Sequence, residues 1–332
     1  MYFILGISLT LAFLLIVNML VAIFASTLWR VVSGLVQDFS VNARAQIIFG
    51  LRILPVAASL IFVIAFLIPA YLLLEPNSSG ESLSGKLALI AFISSFGVCI
   101  ALYRVFETWT VTRRLASNWL SNAVEMKLDN FSVPVYRIKH QFPVIAVIGI
   151  FRPKMFVAEQ VLESLDQNEL RAAIAHEYGH LRANDNFKRT ILRACRDLLI
   201  LPLGKGLDLA WAENAESVAD EYAAQTGRST AIDLASALVK IARIVPANAR
   251  PAMPAGAFLI GEPNLDITSR VRRLIRLSEK RGFSAQARVL GFPPAAWLWA
   301  SALTILLILP LADQRFLSST HEAIEQFVRL LK

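Results

Sequence analysis

The chain has 332 residues, of which 56% are hydrophobic and 17% are charged, and its formal net charge at pH 7 is +8. Soluble globular proteins contain about 45–50% apolar and about 25% charged residues, so this composition indicates a membrane protein. We attribute the positive charge to membrane topology and to attraction by the anionic lipid bilayer. Direct binding to nucleic acid is not expected, because no basic helix is interleaved with exposed aromatic residues.

Four apolar stretches are long enough to cross a bilayer whose hydrocarbon core is about 30 Å thick. They cover residues 2–28, 53–74, 87–103 and 293–312. The first stretch carries no charged side chain and is longer than the core of a signal peptide, so we interpret it as a retained anchor. The chain is therefore predicted to divide into three transmembrane helices with short loops, a large polar domain, a fourth transmembrane helix and a short external amphipathic tail, at 1–104, 105–290, 291–312 and 313–332.

Arginine and lysine residues predict the orientation of these spans, because connections rich in them stay in the cytosol. They are concentrated in the first connection, after the third span and before the fourth: Arg30, Arg44, Arg52, Arg104, Arg113, Arg114, Arg270, Arg272, Arg273, Arg276, Lys280, Arg281 and Arg288. We expect a multi-pass protein of the cell (inner) membrane with both termini outside and residues 105–290 in the cytosol. Cys99 and Cys195 are expected to stay unpaired in that reducing compartment.

The cytosolic domain begins with three strand-like runs, at residues 131–138, 143–150 and 154–158, which predict a small antiparallel sheet. Helices are predicted to follow, among them 230–244 and 267–279, which makes the domain α+β. Asp166 and Glu169 are spaced as a capping box that begins a helix. In the tail, Ser319 and Glu322 predict a second capping box, on a helix whose apolar stripe lies on the outer membrane surface or meets a membrane partner.

The helix that follows Asp166 carries the motif His176-Glu177-x-x-His180. Residues four apart lie on one face of a helix, so His176 and His180 can direct their imidazoles at one zinc ion. Glu177 lies beside the first ligand and can accept a proton from a zinc-bound water as that water attacks a carbonyl. The motif therefore predicts a zinc-dependent hydrolase with Glu177 as general base.

A catalytic zinc site needs a third protein ligand, and residues 211–222 offer one. We predict that Glu216 binds the metal and that Asp220, four residues later, accepts a hydrogen bond from a ligand imidazole. Glu213 remains the competing candidate for the ligand. Asp185 either anchors an imidazole in the same way or is an ordinary carboxylate at a helix end.

An oxyanion donor other than zinc is less evident from the sequence. Tyr222 is a weak candidate, because it lies in the same predicted helix as Glu216. A protein or peptide substrate is expected to bind as an added strand along the edge of the small sheet near residues 143–150, since an extended backbone offers the ladder its hydrogen bonds.

These features together resemble the BlaR/MecR-type membrane antirepressor metallopeptidases. The shared features are three N-terminal spans, a Gly-x-x-Arg-Pro segment at residues 149–153, the two metal motifs with Asp185 between them, and a last span. The resemblance implies a gluzincin fold, hence a mainly α membrane protein with four transmembrane helices and a cytosolic α+β gluzincin metallopeptidase domain. It also implies one Zn²⁺ per chain, bound by His176, His180 and Glu216, and cleavage of cytosolic proteins, with a transcriptional repressor or the enzyme itself as targets.

Receptors of that family carry a large extracellular sensor domain after the last span, and only about twenty residues follow it here. A β-lactam sensor is therefore not expected. The CaaX-protease and heat-shock zinc-protease family shares the Glu-x-x-x-Asp pattern and is the alternative, with a role in protein quality control. A non-catalytic membrane scaffold that carries zinc is a further alternative, although a purely structural site has no need of a glutamate beside its ligands.

Overall fold

The computed structural model describes residues 2–75, 83–126, 133–198, 203–227, 229–245, 267–279 and 314–331. Within these residues three helices are long and apolar enough to cross a membrane. They are α1 (Tyr2–Val32), a continuous helix made of α2 (Val41–Ile61), a π-helical turn (Phe62–Leu67) and α3 (Ile68–Leu74), and α4 (Gly85–Ser121). The predicted fourth span, 291–312, lies outside the described residues.

The connection between α1 and α2 is shorter than the sequence indicated. It contains one short 3-10 turn, Leu35–Asp38, and α2 begins after Ser40, whose hydroxyl caps the helix by accepting a hydrogen bond from the N–H of Ala43. Arg52, one of the arginines used to orient the first connection, lies inside α2 and is only 1% exposed. Its charge is therefore matched within the protein and is weak evidence for orientation.

The α4 helix joins the membrane segment to the polar domain without a break. It runs past the predicted boundary at residue 104 and continues through Trp119. The Trp119 ring packs edge-on against Phe156 in the sheet, with 5.3 Å between ring centroids. The helix that contains the third apolar stretch therefore contacts the core of the domain directly.

The sheet has four strands, β1 (Val124–Met126), β2 (Val135–Ile138), β3 (Ile145–Ile148) and β4 (Lys154–Ala158), in the order β1-β2-β4-β3. The predicted antiparallel arrangement is wrong for one pair, because β2 and β4 are parallel. The β3–β4 hairpin turns so that β4, which is fully buried from Met155 to Ala158, occupies the centre of the sheet. That placement separates β3 from β2 and leaves β3 at the edge.

Six helices of the described residues complete the domain: α5 (Glu159–Ser164), α6 (Gln167–Arg182), α7 (Asp185–Asp197), α8 (Lys205–Gln225), α9 (Thr230–Ile244) and α10 (Ile267–Glu279). The bounds of α9 and α10 agree with the sequence prediction. The main core lies between the sheet and the helices α6, α9 and α10, where Phe156, Ile174, Leu234, Leu238 and Leu274 are all fully buried. The α7 and α8 helices pack on α2 through a second cluster that includes Ile48, Leu192 and Trp211.

The last helix, α11 (Gln314–Leu331), begins five residues before the predicted cap. Ser319 is therefore inside the helix, where its hydroxyl donates to the carbonyl of Arg315, and the predicted capping box is wrong. The apolar stripe packs on the membrane helices of the same chain: Ile324 and Val328 are buried against Leu5 and Leu9. A further membrane partner for this helix stays a prediction.

Candidate metal centre

The helix α6 begins at a capping box, as predicted. The Asp166 carboxylate accepts hydrogen bonds from the N–H groups of Asn168 and Glu169, and the Glu169 carboxylate accepts one from the N–H of Asp166. Glu169 also accepts hydrogen bonds from Ser236 and from Lys240, both on α9. These contacts fix the rotation of α6 about its axis and thereby the direction in which its histidines point.

The helices α6 and α8 approach each other closely where a glycine faces an alanine. A Cβ atom at Gly179 would lie 3.0 Å from the Cα atom of Ala219, closer than packed side chains allow. Any larger residue at Gly179 would push α8 away from α6. The small side chain of Ala219 thus permits the close approach of α8 to α6.

This approach brings His176, His180 and Glu216 together. One ligand atom from each lies within 4.8 Å of the others, and all three residues are buried. Nε2 of His176 is 3.5 Å from Oε2 of Glu216, and Nε2 of His180 is 3.5 Å from Oε1 of the same carboxylate. Ligands around a tetrahedral zinc with bonds of about 2.1 Å are roughly 3.4 Å apart, so the three side chains are spaced as such a site requires.

The other nitrogen of each imidazole faces a carboxylate. Nδ1 of His176 lies 2.9 Å from Oδ1 of Asp220, and Nδ1 of His180 lies 2.7 Å from Oδ2 of Asp185. A carboxylate that accepts a hydrogen bond from Nδ1 holds the proton there and leaves Nε2 as the free ligand atom, and Asp185 does so for His180. Asp185 is also the first residue of α7, so it both contacts the His180 imidazole and is a carboxylate at a helix end.

Several buried polar atoms at this centre have no hydrogen-bond partner among the described residues. Nδ1 of His176, beside Asp220, is among them, and three more are Nε2 of His180, Oε2 of Glu216 and Oε1 of Glu177. Buried polar atoms in native proteins are nearly always paired, so each unpaired one needs an explanation. A cation bound by the histidines and Glu216, with a water beside Glu177, would satisfy the last three atoms. The donor set of two imidazoles and one carboxylate fits zinc.

Two other candidates from the sequence lie apart from this group. Glu213 is exposed on the outer face of α8, so the structure brings Glu216, and not Glu213, to the histidines. Tyr222 is half-buried, with its ring 6.1 Å from that of Tyr178. Burial raises the pKa of the Tyr222 hydroxyl, with a smaller opposing effect from Arg182. The described contacts of Tyr222 do not include the metal-ligand side chains.

Arg270 is the residue of this centre that sequence analysis missed. Its side chain is 7% exposed, and its guanidinium lies 2.7 Å from Oδ1 of Asp220, 3.2 Å from Oε2 of Glu216 and 3.4 Å from Nε2 of His176. Arg273, one turn later, pairs with Asp220 and Ser217. In the sequence, both arginines serve as evidence for the orientation of the membrane spans. Their spacing around the apolar Val271 and Leu274 could have placed them on the inward face of α10.

The charges at this centre compensate one another. Burial alone would raise the pKa of the Asp220 carboxyl, but Arg270 and His176 lower it overall, and His180 and Arg270 hold that of Glu216 well below its usual value. Burial would lower the pKa of His180, but Glu216 and Asp185 raise it to about 10. A third arginine, Arg189, lies 3.3 Å from Oε1 of Glu216.

Glu177 differs from these groups. Burial raises the pKa of its carboxyl, and the neighbouring histidines only partly oppose that effect. A carboxylate with a raised pKa is a better proton acceptor, which is the property that a general base requires.

Comparison with known proteins agrees with this geometry. The model of peptidase family M48 matches residues 111–321, which is more than half of the chain and includes every residue of the centre described above. No curated protein sequence matches the chain. The family match supports a metallopeptidase and does not confirm the BlaR/MecR type in particular. The chain belongs to peptidase family M48, whose members are metal-dependent peptidases.

Proposed function

We propose that this protein is a membrane-anchored zinc endopeptidase that cleaves cytosolic proteins with Glu177 as general base. One observation supports this most strongly. The ligand atoms of His176, His180 and Glu216 converge from two helices, and the buried, unpaired carboxylate oxygen of Glu177 lies on the same helix as the histidines. A purely structural zinc site would have four protein ligands and no need of such a base.

In this mechanism, His176, His180 and Glu216 would hold zinc, which would supply a Lewis acid for the scissile carbonyl and for the attacking water. Glu177 accepts the proton of that water and passes it to the departing amine. Asp220 and Asp185 keep the proton of each imidazole on Nδ1. These residues therefore act by holding a proton on Nδ1 of each imidazole and by moving one through the Glu177 carboxylate.

We further propose Arg270, rather than Tyr222, as the protein donor that stabilises negative charge on the carbonyl oxygen. The guanidinium of Arg270 lies within 3.4 Å of the ligand atoms of His176 and Glu216, whereas the described ring contact of Tyr222 is with Tyr178. Donors aimed at the developing charge act strongly in a site that excludes water.

The membrane role follows from the three apolar helices and from the distribution of arginine and lysine. We propose the inner membrane as location, with the metal centre in the cytosol. The resemblance to antirepressor peptidases favours a repressor or the chain itself as substrate, and the CaaX and heat-shock alternative favours damaged membrane or lipidated proteins. Comparison of cytosolic and membrane protein fragments in cells with active and inactive enzyme distinguishes the two.

Replacement of Glu177 by Gln in the purified, detergent-solubilised chain tests the proposal. We expect one zinc per chain in both forms and cleavage of an unfolded protein such as casein, or of the chain itself, only by the wild type. Glu213→Gln is the matched control, because Glu213 is exposed on α8, and it should cleave normally. Zinc binding without cleavage in the wild type would favour a membrane scaffold, and full cleavage by the Glu177→Gln variant would exclude Glu177 as base.

A further inference from the structure

Along the edge strand β3, successive residues direct their backbone N–H and C=O groups alternately towards β4 and away from it. The N–H of Ala158 donates to the carbonyl of Val144, so residues 144, 146 and 148 face β4. In an antiparallel ladder the intervening residues direct their N–H and C=O groups away from the partner strand. Ile145, Val147 and Gly149 therefore direct theirs away from β4, to a side where no described strand pairs with β3 and where Ile145 and Val147 are themselves buried.

Asn186 occupies the far end of this edge. Its side-chain amide donates to the carbonyls of Val147 and Gly149, at 3.0 and 3.2 Å. Asn186 follows Asp185, which contacts the ligand His180, so the end of β3 is tied to the metal centre. The outward carbonyls of Val147 and Gly149 are thus occupied, and the remaining outward groups, on Ile145 and Val147, belong to buried residues, so β3 offers a peptide little room for an added strand.

A groove of about 650 Å³ begins where the ladder ends. One wall is α4, with Trp109 and Thr112, and the other is the β3–β4 turn, with Ile150 and Phe151. The turn projects because Gly149 has a φ of +108° and its missing Cβ would meet the carbonyl of Arg152 at 3.0 Å. Phe151 at its tip is 88% exposed. This volume is within the range of about 300–1,000 Å³ typical of ligand pockets, so the groove can take more than one side chain.

The charged residues described in the lining of the groove are all positive. Three cationic residues line it, Arg113, Arg152 and Lys154, and no acidic residue appears among its described lining residues. Arg113 lies over the Trp109 ring, 5.7 Å from its centroid, and so brings a positive charge to the apolar wall. An apolar floor with a cationic rim is complementary to an apolar group that has an anionic neighbour.

From these observations we infer that the groove between α4 and the β3–β4 turn is a specificity site for the substrate. It takes a large apolar side chain and an adjacent Asp or Glu of the substrate. This inference rests on the proposed peptidase function and extends it to a class of substrate sequence. Asn186, which lines the groove and follows the Asp185 partner of His180, connects the groove to the metal centre. The apolar walls select the large side chain, and the cations select its acidic neighbour.

A library of internally quenched peptides, incubated with the full-length enzyme in detergent, tests this inference. We expect wild type to prefer peptides with Phe, Leu or Trp next to Asp or Glu at a constant distance from the cleaved bond. Thr112→Trp, which fills the groove, should lower kcat/KM for those peptides about tenfold, the scale of discrimination that apolar pockets achieve. Peptides with Ala at that position should be cleaved as before. Val111→Trp, on the same helix but outside the lining, is the matched control.

A charge exchange provides the second arm of the experiment. Arg152 is exposed at the rim, so Arg152→Glu is expected to fold normally. The variant should cleave the acidic peptide more slowly and the same peptide with Lys in place of Asp faster, about fivefold each way. Zinc content and melting temperature identify any variant that is merely misfolded.

The outcomes separate the inference from the function on which it rests. If wild type cleaves neither peptides nor proteins, the proposed function fails. If it cleaves peptides but Thr112→Trp and Arg152→Glu keep the wild-type preferences, the function stands and the specificity site is wrong. Binding to nanodiscs of phosphatidylglycerol or phosphatidylcholine tests whether the groove holds anionic lipid instead of a peptide. Phosphatidylglycerol binding that Thr112→Trp abolishes, without a change in peptide preference, would assign the groove to anionic lipid and overturn the inference.

Discussion

Nε of Arg52 donates a 2.7 Å hydrogen bond to Oδ1 of Asp208 and thereby joins a membrane helix to the helix that carries Glu216. Arg52 lies in α2 and is 1% exposed, and Asp208 lies in the first turn of α8. Gly204, in a left-handed conformation with φ of +90°, leaves room for the arginine, since a Cβ there would lie 3.1 Å from Nε of Arg52. The position of Glu216, the proposed third metal ligand, thus depends on the apolar helix α2.

Removal of Asp208 should therefore destabilise the domain. Asp208→Ala leaves a buried arginine unpaired, which costs about 3–5 kcal/mol for a fully buried pair. Because Asp208 is 25% exposed, we expect the lower end of that range in the free energy of unfolding. Denaturant unfolding in detergent measures it. The double variant Arg52→Met with Asp208→Leu should recover most of the loss, and wild-type stability in Asp208→Ala would show that the pair carries no such role.

Replacement of Asp185 by Asn should weaken metal binding while leaving the fold intact. The amide cannot hold the proton on Nδ1 of His180 as the carboxylate does, and loss of such a partner typically lowers metal affinity about 10- to 100-fold. Competition with a zinc chelator of known affinity measures the change. Glu213→Gln should bind zinc as tightly as wild type, and an equally tight Asp185→Asn variant would refute the assigned contact.

Replacement of Arg270 by Lys tests its contribution to the reaction. A lysine retains the charge that balances Asp220 and Glu216 but cannot make the paired contacts of a guanidinium. We expect a folded, zinc-bound variant whose kcat falls about 100-fold, as on loss of an oxyanion donor, with a smaller change in KM. Arg272→Lys, exposed on the same helix, is the control. A fall in zinc content instead of kcat would give Arg270 a structural role alone.

Glu169 predicts a pH dependence of stability. Burial would raise the pKa of its carboxyl, but Lys240, Ser236 and the N–H of Asp166 lower it overall from the usual 4.5. A group with a lowered folded-state pKa stabilises the fold above its unfolded-state pKa and loses that contribution as the pH falls through the folded-state value.

Wild type should accordingly be more stable than Glu169→Gln at pH 7, by about 1.5–3 kcal/mol for hydrogen bonds to a charged group. The difference should shrink as the pH falls below 4.5. Melting temperatures of both forms between pH 7 and pH 3 measure it. A difference that stays constant over this interval would show that the ionised carboxylate is not the stabilising form.

Much of the local structure was predictable from the sequence because it depends on short-range chemistry. The capping box at Asp166 and the bounds of α9 and α10 follow from residues within one or two turns of each other. The common face of His176 and His180 follows from helical periodicity. These features need only the geometry of a single helix.

Other features depend on contacts between distant parts of the chain. The central position of β4, the pairing of Arg52 with Asp208, and the packing of Ile324 against α1 each join residues that the sequence leaves far apart. A basic residue before a predicted span has the same appearance in the sequence whether it faces lipid headgroups or a buried carboxylate.

The sequence by itself therefore determined the chemistry available to this protein: two imidazoles and a carboxylate on one helix, a second acidic helix, and apolar spans. The tertiary structure alone decided which carboxylate meets the imidazoles, and that Arg270 neutralises the second acidic helix from 50 residues away. The physical reason is that burial makes an unpaired charge costly, so the fold must bring each buried carboxylate a partner, and only the packed chain shows where that partner comes from.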